Sequence, residues 1–221
     1  MGLVAGDRHR LWRMGIAAAG LGPPYNRDMT ALPASLNDAL AALLGEAWRV
    51  DASERLTYGY DNSRRQAMPD AVALPESREQ VVALVRACRA HRVPVVARGR
   101  GTNTTGASVP TSGGVVVSFE RMNAIIEIRP GDRCAVVQPG VLNGDLQRVL
   151  KPHGLFWPPD PTSADYSTIG GNLACNAGGP RAVKYGASRD NILALTAVTG
   201  TGELIHCGSA TTKGATGYDL Q

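Results

Sequence analysis

The residues of this chain best suited to chemistry are backbone donors rather than side-chain acids or bases. Arg98-Gly99-Arg100-Gly101-Thr102-Asn103-Thr104-Thr105-Gly106 directly follows the apolar run Val93 to Ala97. A second stretch begins Pro158-Pro159-Asp160-Pro161-Thr162-Ser163 and continues through Ile169-Gly170-Gly171-Asn172 to Asn176-Ala177-Gly178-Gly179. A short strand that empties into glycines and hydroxyl residues puts several N–H groups on one concave surface, because glycine permits positive φ and close backbone approach. Such a nest holds phosphate oxygens. Two of them in one domain predict a ligand long enough to need both, such as a dinucleotide.

Each residue set has a plainer reading beside the chemical one. A glycine-threonine loop is also what a surface turn looks like. In the first stretch Gly99, Gly101 and Asn103 offer donors, Thr102 and Thr104 add hydroxyls, and Arg98 and Arg100 supply positive field unless one points to solvent. In the second, Pro159 and its neighbours stiffen the backbone that presents Asp160, Thr162 and Ser163. Gly170 and Gly171 permit close passage, and Asn172 and Asn176 carry amides. Gly178 and Gly179 close the stretch, and some of these glycines serve only the turns. Lys184 and Tyr185 read equally well as an exposed charge and a core ring.

Two familiar phosphate motifs are excluded. The third glycine position of a GxGxxG holds Thr104, and Gly113-Gly114 leads into Val115-Val116-Val117-Ser118-Phe119, a strand, where a Rossmann loop opens a helix. No GxxxxGK[ST] occurs. The cysteines at 88, 134, 175 and 207 form no CxxC, and the histidines at 9, 91, 153 and 206 form no HxxxH. Metal spacing is absent, a disulfide framework is not expected, and reduced thiols at Cys88, Cys134 and Cys207 point to the cytoplasm. His153 and His206 read as structural, so no catalytic residue is assigned.

The elements that position these loops are short. Ser35 to Leu44 reads as an amphipathic helix with Ser35 at its N-cap and Asp38 three residues on. Residues 51–65 are polar and irregular, with a turn at Tyr58-Gly59-Tyr60-Asp61. A βαβ unit follows: Ala71 to Leu74, a helix opened by Ser77 and Gln80 with Val81, Leu84, Val85 and Cys88 on one face, then Val93 to Ala97. Ala124–Ile128 and Arg133–Gln138 form a hairpin, Leu142 to Leu150 a helix ended near Gly154, and Ile192–Thr199 with Glu203–Cys207 a second hairpin. Strands and helices mixed in this order predict an α+β fold.

At 221 residues with 43% hydrophobic and 5% aromatic residues, the chain has the material for one ordinary domain. The net charge is +4, and half of that excess falls in residues 1–30, where Arg8, Arg10, Arg13 and Arg27 outnumber Asp7 and Asp28. No basic stripe interleaved with aromatics suits nucleic acid, and no apolar run is long enough for a transmembrane segment. Residues 1–30 are expected to be a disordered extension or the product of a misplaced start, residues 31–66 a helical lead-in, and residues 67–221 the ligand-binding domain.

The ordered set Val93 to Gly99, Gly101-Thr102, Gln138-Pro139-Gly140, Pro159-Asp160-Pro161, Gly170-Gly171-Asn172, Asn176 to Gly179, Lys184-Tyr185-Gly186 and Gly217-Tyr218-Asp219 resembles the FAD-binding domain of the vanillyl-alcohol oxidase and p-cresol methylhydroxylase flavoproteins. Within that superfamily it is similar to the glycolate oxidase and D-lactate dehydrogenase group. The resemblance implies two small α/β subdomains, the second incomplete here, with the two glycine stretches wrapping the pyrophosphate, ribityl chain and flavin. Some family members attach flavin through a histidine in the first loop; none stands there in this chain, which implies noncovalent FAD. The resemblance also implies a 2-hydroxy acid substrate held by a C-terminal domain beyond Gln221, and an electron acceptor it does not specify. A noncatalytic flavin-binding subunit and an NADPH-dependent reductase of cell-wall precursor synthesis are the alternatives.

Overall fold

Short valine-rich strands frame the first glycine stretch. In the computed structural model, which describes residues 32–209, β2 (Ala71–Ala73) and β4 (Val115–Ser118) are buried along their whole length. That is why they read as unbroken apolar runs rather than as alternation. Strand β1 (Trp48–Arg49) runs antiparallel to β2, and β4 is parallel to both β2 and β3 (Val95–Arg98), giving the sheet order β1-β2-β4-β3. Helix α3 (Arg78–Ala90) carries the chain from β2 to β3 and buries Val81, Leu84 and Cys88. Parallel neighbours need a long connection, commonly a helix. The return from β3 to β4 is instead residues 99–114, a helix-free loop whose two ends are pinned to adjacent strands.

Helix α1 (Ala34–Leu44) lays Leu36, Leu40 and Leu44 on the same core as Val72, Leu84 and Val116. Each fully buried aliphatic side chain there stabilises the fold by about 1.5–3 kcal/mol relative to exposure. A second, smaller core sits beyond the sheet. Val141, Leu146, Leu150 and Ile169 pack with Ile128, Val137 and Trp157. It joins the hairpin β5 (Ile125–Arg129) and β6 (Cys134–Val137) to helix α4 (Asn143–Leu150) and the short helix α5 (Ile169–Ala174). A one-turn helix α6 (Ala182–Tyr185) and the hairpin β7 (Ala194–Val198) with β8 (Leu204–Gly208) follow. The fold is α+β with two cores, as expected. Among the described residues the second half holds two separate hairpins rather than one sheet.

Several local expectations are corrected. Helix α1 begins one residue early, so the carbonyl of Pro33 accepts from Leu36 and Asn37, and Ser35 is no cap. At α3, Ser77 does accept from the Gln80 N–H, but the Gln80 side chain reaches back to the N–H of Glu76. The supposedly irregular lead-in contains helix α2 (Ala52–Leu56), capped by Asp51. Cys88 and Cys207 are buried, but Cys134 is half-buried and Cys175 exposed, and all four are free thiols. The expectations for residues 1–30 and for Gly217-Tyr218-Asp219 lie outside the described residues.

Candidate functional site

The strand β3 extends one residue further than the apolar run predicts, and this decides where Arg98 goes. The residue is 7% exposed, and its side chain donates to the Tyr60 carbonyl at 2.6 Å. The guanidinium lies 5.8 Å and 5.9 Å from the ring centres of Tyr58 and Tyr60. Burial pulls its pKa down, against the charges of Tyr60, Asp61, Tyr58 and Glu120. No carboxylate stands within ion-pair distance of it among the described residues. Asp61 and Glu120 act on it from beyond that distance, which leaves the guanidinium able to pair directly with an incoming anion.

The loop above this cation is open on its donor side. Among the described residues, none of the N–H groups from Gly99 to Thr104 donates to a protein acceptor. Gly101 has φ +66°, and a Cβ there would collide with the Arg98 guanidinium. Only glycine satisfies both constraints. Thr102 and Thr104 leave their hydroxyls uncommitted. Asn103 does not: its Oδ1 accepts from Thr105 and Ala107, and its Nδ2 donates to Ser108 at 2.8 Å. Arg100 reaches Glu120 at 3.8 Å, and Glu120 also accepts from the Tyr58 hydroxyl at 2.8 Å. Burial, helped by Glu120, pushes the Tyr58 phenol up to about 12.

The second stretch is organised differently. Ile169-Gly170-Gly171-Asn172 opens helix α5 rather than forming a second open loop. Thr168 caps it, accepting from the Gly171 N–H at 3.1 Å, while the Gly170 N–H donates to the Pro139 carbonyl at 2.9 Å. Asn172 is buried, donating to Ser167 and accepting from Asn143. Asn143 also donates to the Pro159 carbonyl at 2.9 Å. The Asn176 amide oxygen accepts from Arg189. These groups hold the chain to itself. The donors left open are the N–H groups of Asp160, Thr162, Ser163, Gly178 and Gly179. Asp160 ties them together, accepting from the Arg181 N–H at 3.1 Å and pairing with its guanidinium at 3.3 Å. A Cβ on Gly179, at φ +142°, would collide with Asp160.

The two stretches meet at Gly99. A Cβ on Gly99 would lie 2.5 Å from the Thr168 hydroxyl, so glycine brings the first loop against the cap of α5. Thr168, 2% exposed, is a site-building residue the sequence reading missed. A hydroxyl residue just before an apolar position, with glycine three residues on, was the cap signal available. Also missed were Tyr60 and Asn62, which hold the first loop from behind. A separate open cleft of about 460 Å³ is lined by Gln147, Lys151, Leu155, Phe156, Arg181 and Tyr185. None of the glycine-loop residues lines it.

A buried cation with no directly paired carboxylate, beside six open N–H groups, fits a polyphosphate, and the first loop holds no histidine for a covalent flavin bond. Comparison with known proteins agrees. The chain is 46% identical over 167 residues to the glycolate oxidase subunit GlcD of Bacillus subtilis, covering 75% of this chain and 36% of that protein. It is 43% identical over 172 residues to a D-2-hydroxyglutarate dehydrogenase of Stutzerimonas stutzeri, covering 77% and 37%. It therefore spans about a third of the length of these relatives. The crystal structure of p-cresol methylhydroxylase superposes with a TM-score of 0.69 at 24% identity, covering 79% of this chain and 35% of that one, which shows a shared fold. The family model described as FAD binding domain matches residues 69–208, and the chain belongs to that family.

Proposed function

We propose that this chain is the FAD-holding part of a dehydrogenase or oxidase acting on a small 2-hydroxy acid of the glycolate, D-lactate or D-2-hydroxyglutarate type. The observation that carries the reading is the buried Arg98, with no carboxylate at ion-pair distance among the described residues, beneath the open donors of Gly99 to Thr104. Bound flavin supplies the hydride acceptor that such an oxidation needs. The protein's part is to bind and orient. Gly99, Arg100, Gly101, Thr102, Asn103 and Thr104 form the pyrophosphate cradle, with Arg98 as its buried counter-charge and Arg100 at its rim. Pro159, Asp160, Ser163, Gly178 and Gly179 carry the second contact surface. Gly170, Gly171, Asn172 and Asn176 keep that surface in place.

No residue of this chain is assigned to proton abstraction. The relatives' names support the substrate class. The test is the reading frame expressed to its stop codon. It purifies yellow, acid or heat releases FAD, and glycolate, D-lactate or D-2-hydroxyglutarate reduces a dye in its presence. Flavin retained on the denatured polypeptide overturns noncovalent binding. A flavoprotein that reduces no dye with any of these acids overturns the substrate class.

A further inference from the structure

The family match begins at residue 69, yet the first loop is held by residues ahead of it. The Asn62 N–H donates to the Asn103 carbonyl at 3.1 Å, and the Asn62 side chain donates to the Thr102 carbonyl at 3.3 Å. One residue earlier, buried Asp61 accepts from the Ser108 hydroxyl at 3.3 Å and from the Ser63 N–H at 2.9 Å. Ser108 in turn accepts from the Asn103 amide. The Tyr60 carbonyl takes the Arg98 guanidinium. Three consecutive residues thus engage the buried cation, the loop's carbonyls and the far end of the loop through Ser108.

The arrangement has a directional consequence. A peptide unit's N–H and C=O point to opposite sides, so fixing the carbonyls of Thr102 and Asn103 on one face turns the following N–H groups to the other. Without that hold, the loop's carbonyls are free to rotate toward an arriving phosphate and repel it. We infer that Tyr60-Asp61-Asn62, outside the matched domain, is part of the anion site, and that Asn62 and Ser108 are positioning residues for the donors of Asn103 and Thr104 at the end of the open run. The inference rests on reading that loop as the pyrophosphate cradle. Asp61 itself stays ionised: burial raises its carboxyl, but hydrogen bonds from Ser63 and Ser108 outweigh this and leave its pKa lowered. Asn62 and Ser108 are neutral, so replacing them changes no charge near the anion.

The test uses Asn62→Ala and Ser108→Ala in the complete reading frame. FAD and riboflavin, which shares the ring and ribityl chain but has no pyrophosphate, are titrated by flavin fluorescence. Inorganic pyrophosphate is titrated against the amide NMR signals of Gly99 to Thr104. Each variant is expected to weaken FAD and pyrophosphate about three- to tenfold, the scale of one hydrogen bond, while riboflavin affinity stays within about twofold. Equal loss for FAD and riboflavin means general damage to the fold and overturns the inference. Unchanged FAD and pyrophosphate affinity in both variants also overturns it. A parent that binds pyrophosphate at these amides but not FAD removes the cofactor reading and leaves the positioning role standing. A parent that binds neither removes both.

Discussion

The two glycine stretches look alike in sequence, yet the α5 segment of the second uses its donors in the opposite way from the first. In the first, backbone N–H groups from Gly99 to Thr104 are left open and the carbonyls are taken up by Asn62. In the α5 part of the second, the N–H groups of Gly170 and Gly171 are spent on Pro139 and Thr168, and the Asn172 amide on Ser167, while the N–H groups of Asp160, Thr162, Ser163, Gly178 and Gly179 on either side stay open. Glycine at 101 serves a left-handed conformation and room for a guanidinium; glycine at 170 lets the chain press on Pro139. The distinguishing quantity is the fate of the N–H groups, not the number of glycines. Unpaired donors are available to a ligand, whereas paired ones hold the chain to itself.

The sharpest way to break this comparison is Gly101→Val. A β-branched residue is an outlier at φ +66°, and its Cβ would collide with the Arg98 guanidinium. The Kd for FAD is expected to rise by about 100-fold or more, since strain of about 1–3 kcal/mol is added to displacement of the buried cation. Fluorescence titration checks it, with unfolding by urea as control. An unchanged Kd means the first loop is not the cradle.

Arg98→Met is next in size. It removes a charge-assisted partner of the anion, expected to raise the Kd for FAD about 10- to 100-fold. Stability should fall as well, but by less than the binding does, because the Tyr60 hydrogen bond and two ring contacts are lost and buried Asp61 loses a nearby positive charge, offset in part by relieved desolvation. A large fall in Tm with unchanged FAD affinity would make Arg98 a structural residue, holding Tyr58 and Tyr60 alone.

Gly170→Ala tests the other side of the comparison. The added Cβ would stand 2.7 Å from the Pro139 Cβ and 2.9 Å from its carbonyl oxygen. Overpacking of this kind costs about 1–3 kcal/mol of stability. Once folded, the variant should bind FAD within about threefold of the parent. Loss of affinity without loss of stability would put Gly170 at the ligand, where the sequence reading had it.

Much of the frame was legible because its signals are local. The buried run Val115 to Ser118, the Ser77 cap and the hairpin around Gly200-Thr201-Gly202 each carry their cause within a few residues. Rejecting a helix after the first glycines was also local, since Gly113-Gly114 leads straight into β4. The site was legible as a set of positions but not as roles. Arg98 looked like a loop residue because the sequence gives no sign that β3 runs one residue longer and turns that side chain inward. The partners of the Asn172 side chain, Asn143 and Ser167, are known only once the chain has folded. Tyr60 and Asn62 lie in a polar stretch with no periodicity, and the loop they hold is about forty residues further on.

The smallest expected effect belongs to Gly171→Ala, and its smallness is the point. Gly171 lies in the first turn of α5 with ordinary backbone geometry, so a side chain there meets no conformational penalty. Alanine in a helix is favoured over glycine by about 1 kcal/mol. Against this, its Cβ would stand 3.0 Å from the Thr168 hydroxyl, the single near contact. That hydroxyl must give by a few tenths of an ångström, weakening a cap whose full loss costs about 1 kcal/mol. The two terms oppose at similar size, so stability is expected to change by less than about 1 kcal/mol in urea unfolding. FAD affinity should follow it, changing less than about threefold, because the Gly171 N–H is already spent on Thr168. A tenfold loss of FAD affinity at unchanged stability would mean that the donors of α5 do reach the cofactor. The division between an open first stretch and a self-paired α5 segment would then fail at the residue where it is drawn most finely.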